Sequence, residues 1–254
     1  MKRNAKFIPL WIMFLAFGFC CVTMEMELWM LLSVWASGLS IFLLIKTKLP
    51  SKKSIIISAV LAVLVSIAYL GIRAELSTLF NGLTRGIPTF LCSLAVFSVM
   101  EKFGGIKLIS TDKKLSPLIS IIIAVAVAVV LSVINYFLMR NDNTADFGIS
   151  VSRLIVCLSP AIYEEIVCRA IFMAFSLYVI GEEKPAKFQT FTMWFMMCFP
   201  HTAAHGYDIV STVILCVLFG LPFTILQRKR DLTSAMVSHG LVDAVRFTVF
   251  GLGL

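Results

Sequence analysis

The sequence predicts an all-α fold, a polytopic bundle of about eight or nine membrane-crossing helices. Three observations carry that reading. Of the 254 residues 59% are hydrophobic and only 14% charged, and the mean hydropathy is +0.96, far from the balance a water-exposed domain needs. Apolar runs of about 17–23 residues recur along the whole chain, each enough to cross roughly 30 Å of hydrocarbon as a helix. The runs lack a two-residue alternation, so backbone groups in lipid must be satisfied within helices and not in a barrel.

Nine candidate spans follow in order: Phe7–Met24, Leu28–Ile45, Ser54–Ile72, Leu79–Met100, Pro117–Met139, Ile149–Ile180, Phe188–Ala204, Ile209–Leu226 and Leu232–Leu252. The first opens on basic residues but ends at Met24-Glu25-Met26-Glu27 without a small-residue cleavage site, so it reads as a retained span and not a removed signal peptide. Few polar residues other than Arg85 interrupt the first four. In the fifth, Ile121–Val133 is almost purely aliphatic, as a lipid-facing or scaffold helix should be.

Loop charges orient the spans. Lys2, Arg3 and Lys6 precede the first, Lys46, Lys48, Lys52 and Lys53 follow the second, and Lys102, Lys107, Lys113 and Lys114 follow the fourth. Lys184 and Lys187, and then Arg228, Lys229 and Arg230, fall on the same side. The other side carries Glu25, Glu27, Arg73, Glu75, Arg140, Asp142 and Asp146. This asymmetry predicts a cytoplasmic N-terminus and explains the net charge of +8 without nucleic acid. Seven cysteines inside apolar runs, with no CxxC spacing, read as small buried hydrophobes and not as a disulfide or thiolate metal frame.

The last four spans hold the anomaly. Glu164, Glu165 and Arg169 stand within six residues of one apolar run, where a single charge near the bilayer centre costs about 2.5–3.5 kcal/mol. On a helix Glu165 and Arg169 share a face and can neutralise each other; Glu164 points about 100° away and needs another partner. The three histidines lie in or at the end of later spans. His201 and His205 are four apart, as are His239 and Asp243. Counted at about 1.5 Å per residue from the cytoplasmic end, Glu164 lies about 24 Å deep, His201 about 20 Å, His205 about 26 Å and His239 about 11 Å. His201 is therefore the better partner for Glu164 and His239. Pro160 and Pro200 each remove a helical hydrogen bond and can open a local cavity. Residues 1–115 thus read as scaffold helices and 116–254 as the part that carries chemistry.

A buried lone histidine usually serves helix packing, and Asp243 with Arg246 usually makes a structural pair. The whole set on neighbouring helices suits a reacting site better than a scaffold. It also resembles a known family. Glu164-Glu165-Ile-Val-Cys-Arg169 matches the EExxxR element of the CAAX-protease and bacteriocin-processing (CPBP) intramembrane proteases, which include the type II CAAX prenyl endopeptidases. His239-Gly-Leu-Val-Asp243 is similar to their HxxxN element, with aspartate in the last place. For the FxxxH element, Met197-Cys-Phe-Pro-His201 has methionine where phenylalanine is usual, and His201-Thr-Ala-Ala-His205 is the other reading. The similarity spans roughly Val151–Val249.

That resemblance implies an intramembrane endopeptidase in which Glu164 and His201 bind and deprotonate a water, His239 with Asp243 stabilises the oxyanion, and Glu165 with Arg169 braces the site. It implies no cofactor in the glutamate version. In the alternative, zinc sits on Glu164, His201 and His239, with His205 a further donor, although no HExxH is present. The expected partners are the lipid bilayer and a membrane protein or peptide substrate, as in CAAX-type maturation, peptide-signal or bacteriocin processing, or self-immunity, in a bacterial plasma membrane. Two other classes compete: an ion- or proton-coupled transporter, against which the absence of an internal repeat counts, and a catalytically silent immunity or binding protein.

Overall fold

A computed structural model describes residues 2–23, 28–70, 76–140, 146–181 and 184–251, and among them there are helices and connecting turns but no strand. A single turn, α1 (Lys2–Ala5), precedes α2 (Ile8–Thr23), α3 (Leu28–Thr47), α4 (Lys52–Leu70), α5 (Leu76–Phe103) and α6 (Ser116–Met139). A run of mixed winding follows: α7 (Val151–Val156), two π-wound stretches at Ser159–Glu164 and Ile166–Ala170, and α8 (Ile171–Ile180). After α9 (Lys187–Ala203), a second mixed run contains α10 (Ile209–Leu215), a π-wound stretch at Cys216–Gly220 and α11 (Leu221–Lys229); α12 (Leu232–Phe250) closes the bundle.

Within the described residues each of the nine candidate stretches falls on a helical run. Among the described residues five runs are long and apolar enough to cross a membrane: Leu28–Thr47, Lys52–Tyr69, Phe80–Phe103, Ser116–Met139 and Ile209–Lys229. The chain is thus a polytopic all-α membrane protein. Glu25, Glu27, Arg73, Glu75 and Asp142, which the orientation argument used, lie outside the described residues. All seven cysteines are free, and Cys92, Cys157, Cys168 and Cys198 are buried.

Small residues set how closely the helices approach. A Cβ at Gly82 would stand 2.6 Å from the Ser66 carbonyl oxygen, so Gly82 and Gly86, spaced as in a GxxxG motif, let α5 lie directly on α4. Along α6 the buried residues Ser116, Ser120, Ala124, Ala128 and Leu131 recur at about one helical turn and pack on α12, while Ile122, Val129, Val130 and Val133 face outward. At Gly240, α12 meets the π-wound Ser159–Glu164 stretch. A Cβ there would come within 2.9 Å of the Ala161 methyl.

The start of α12 is buried. Asp231, fully enclosed, accepts hydrogen bonds from the Ser110 and Ser234 backbone N–H groups at 2.9 and 2.7 Å, and from the Ser120 and Ser234 hydroxyls at 2.6 and 2.7 Å. The next two amides of the helix, Leu232 and Thr233, donate to the Lys107 and Leu108 carbonyls, both at 2.9 Å. The α5–α6 connection therefore supplies the partners a helix N-terminus lacks. On its exposed side Lys107 bonds Asp112 at 2.6 Å and holds that carboxyl below the usual aspartate range.

Candidate functional site

The site forms where the π-wound stretch, α9 and α12 converge. Pro160 has no N–H to donate and its ring crowds the carbonyl four residues earlier, which disfavours regular α-winding at this point. The resulting wide turns place Glu164 toward a cavity of about 370 Å³ and bury Glu165 completely. Pro222 stands in the first turn of α11, just after the third π-wound stretch, Cys216–Gly220, and the following Phe223 enters the cavity wall.

The charged residues form one hydrogen-bonded chain. Arg169, fully buried, donates through Nη1 to Glu165 Oε1, the pairing their four-residue spacing predicts. Its Nη2 lies 2.7 Å from His201 Nδ1. A guanidinium only donates, so His201 Nδ1 must accept, and the ring proton sits on Nε2. That Nε2–H donates to Glu164 Oε2 at 2.6 Å. On the other side His239 Nδ1 donates to Glu165 Oε1 at 2.7 Å, while its Nε2 lies 3.5 Å from both Glu164 Oε2 and Asp243 Oδ2. Phe223 lies against both groups: it stacks on the His239 ring with centroids 4.4 Å apart, and the Arg169 guanidinium carbon stands 5.3 Å from its ring centroid.

Glu164, Glu165, Arg169, His201, His239 and Asp243 thus all meet in one place. Asp243 also lies 4.0 Å from Arg246 Nη1. His205 is exposed at the cavity wall, edge-on to Trp29 at 4.8 Å and stacked on Tyr207 at 5.5 Å. It is His201, not His205, that bonds Glu164. The different depths counted along the sequence do not separate the groups, because α12 starts beneath the protein surface and the π-wound turns advance less per residue than α-turns.

A metal is sterically conceivable. One ligand atom from each of Glu164, His201 and His205 lies within 4.8 Å of the others, a set with His205 in place of the expected His239. The hydrogen bonding of His201 does not fit it. A ligating imidazole offers an unprotonated nitrogen to the ion and donates its other N–H to an acceptor, whereas here Nδ1 faces a cationic donor and Nε2 keeps the proton. His239, with Nδ1 on Glu165, does have the ligating pattern.

Several cavity residues carried no signal in the sequence. Trp29 and Arg85 come from α3 and α5, and Tyr69 from α4, where its hydroxyl shares a 2.9 Å hydrogen bond with Ser159. Arg85 stood out only as a charge in an apolar run. Phe223 looks like any apolar residue until α11 is folded against α12.

Residues 146–245 match the family model described as type II CAAX prenyl endopeptidase Rce1-like. The match covers the stretch that carries all three motifs and bears out the resemblance. At the level of the family it supports a CAAX-type endopeptidase, set in a membrane-embedded bundle. No curated protein and no solved structure matches the chain.

Proposed function

We propose that this Rce1-like chain hydrolyses a peptide bond in a membrane-associated protein or peptide, with water activated by Glu164. One observation carries the reading: a carboxylate held at one oxygen by the proton of a neutral imidazole, yet with its side chain still 15% accessible to the cavity. Glu164 takes a proton from a cavity water as the water oxygen bonds to the substrate carbonyl carbon. The same proton then passes to the departing amine as the C–N bond breaks. His201 fixes the carboxylate as a donor, and Arg169 fixes His201. His239, with Nδ1 committed to Glu165, turns Nε2 toward the cavity, where a proton held between Glu164 and Asp243 can bond the developing oxyanion. Asp243, which as a carboxylate donates no hydrogen bond, orients His239 instead of binding the oxyanion itself.

The test uses purified protein in detergent, with no membrane gradient, and a lipidated peptide that reports cleavage. Wild type is expected to cleave it, and Glu164→Gln to lose about 10²–10⁴-fold in kcat, the range for a removed general base. Full activity of that variant would sink the glutamate mechanism. A strong chelator is expected to leave the rate unchanged; loss restored by zinc would replace this mechanism with a metal-based one.

A further inference from the structure

Arg85 is the one charged residue between Phe80 and Met100, and it belongs to none of the three motifs. It reaches the same cavity as Glu164, from the scaffold side. Among the described residues no carboxylate lies within 4.0 Å of it, whereas Arg169 has Glu165 and Arg246 has Asp243. Two aromatic rings hold it. Its guanidinium carbon stands 5.1 Å from the Trp29 ring centroid and 4.5 Å from that of Tyr163, whose hydroxyl is tied to Ser33 Oγ. Aromatic contacts attract a cation but do not neutralise it, and an arginine without a counter-ion inside a membrane bundle is costly. The rings lie against the guanidinium carbon, and its N–H groups, beyond the contact with Tyr163, match a carboxylate in a two-pronged hydrogen bond.

We infer that Arg85 binds the free C-terminal carboxylate of the peptide substrate and thereby places the scissile bond at Glu164. This rests on the endopeptidase reading above. Substrates of the CAAX class end in a C-terminal motif, so the chain end lies within three residues of the modified cysteine, at most about 10 Å of extended backbone. A carboxylate that close to the reacting bond has to enter the cavity, and Arg85 is the cation there that, among the described residues, has no carboxylate within 4.0 Å. Capture of a chain terminus by fixed donors is an established way of reading peptide ends.

The experiment compares two lipidated peptides that differ only in a C-terminal acid or amide. For wild type, kcat/KM is expected to favour the acid by about tenfold or more, the worth of a charge-assisted hydrogen bond. In Arg85→Gln the acid-to-amide ratio should fall to within about twofold of unity, and Arg85→Lys, with the charge but not the fork, should lie between. A ratio that separates the substrates is insensitive to partial loss of folded enzyme. Equal cleavage of acid and amide by wild type, or an Arg85→Gln variant that slows both alike, overturns the inference. Binding of the same peptides to Glu164→Gln keeps the two proposals apart. Tight, Arg85-dependent binding of the acid without cleavage by wild type would leave the carboxylate site standing and remove the hydrolase. Cleavage without any preference for the acid would do the reverse.

Discussion

Replacing Arg169 by lysine tests the hydrogen-bonded chain at its centre. Arg169 uses separate nitrogens for Glu165 Oε1 and for His201 Nδ1, and lysine has one nitrogen for both. Whichever bond it keeps, the variant forfeits one charge-assisted hydrogen bond, about 1.5–3 kcal/mol, and the guanidinium face against Phe223. If that bond is what fixes the His201 proton on Nε2, kcat/KM for peptide cleavage falls about 10- to 150-fold. The protein should still fold, because Glu165 retains a cation and His239 Nδ1. Kinetics alone would not separate lost geometry from lost tautomer. The second readout is ¹⁵N NMR of imidazole-labelled protein, in which His201 should carry its proton on Nε2 in wild type and show a mixture in Arg169→Lys. A wild-type proton on Nδ1, or a lysine variant within twofold of wild-type kcat/KM, would refute the assignment.

Two more substitutions probe how the site is held. Gly240→Leu should force α12 away from the Ala161 methyl and carry His239 with it, lowering cleavage at least tenfold while the protein still extracts and runs as a folded species in size-exclusion chromatography; unchanged activity would mean that the close approach does not position the histidine. Asp231→Ala removes the α12 cap and strands the buried Ser110 amide, so thermal unfolding in detergent should show a loss of about 2–4 kcal/mol, and an unshifted Tm would contradict that role.

The sequence exposed the site more fully than the scaffold around it. Glu165 with Arg169 was legible because helical spacing makes that pair almost obligatory, and Glu164 was legible because an apolar run gives a lone carboxylate nothing else to do. Depth favours His201 over His205, since one turn of helix moves a side chain from the interior to the rim, but it does not decide between them; the bond from His201 to Glu164 does. His239 was harder to place, because counting from Leu232 assumed that the helix begins at a membrane surface, whereas Asp231 is enclosed by Ser110, Ser120 and Ser234. That enclosure depends on contacts across more than a hundred residues, which no local pattern reveals. The π-winding around Pro160 was visible only as a proline where a helix should bend. Arg85 and Trp29 join the cavity through the packing of α3 and α5 on the later helices, and Gly82 and Gly86, the clearest local sign of α5 packing, sit beside Arg85 without pointing to it.

Phe223 has no polar atom to contribute, yet it lies against both the imidazole of His239 and the guanidinium of Arg169. The shared oxygen of Glu165 already sets how near these two planar groups come, and the phenyl ring is an apolar wall against which both rest. Anyone transplanting this chemistry into another helical scaffold would therefore need the benzene ring as well as the acids and bases: leave it out, and the imidazole and the guanidinium lose the surface that keeps both turned toward their common carboxylate.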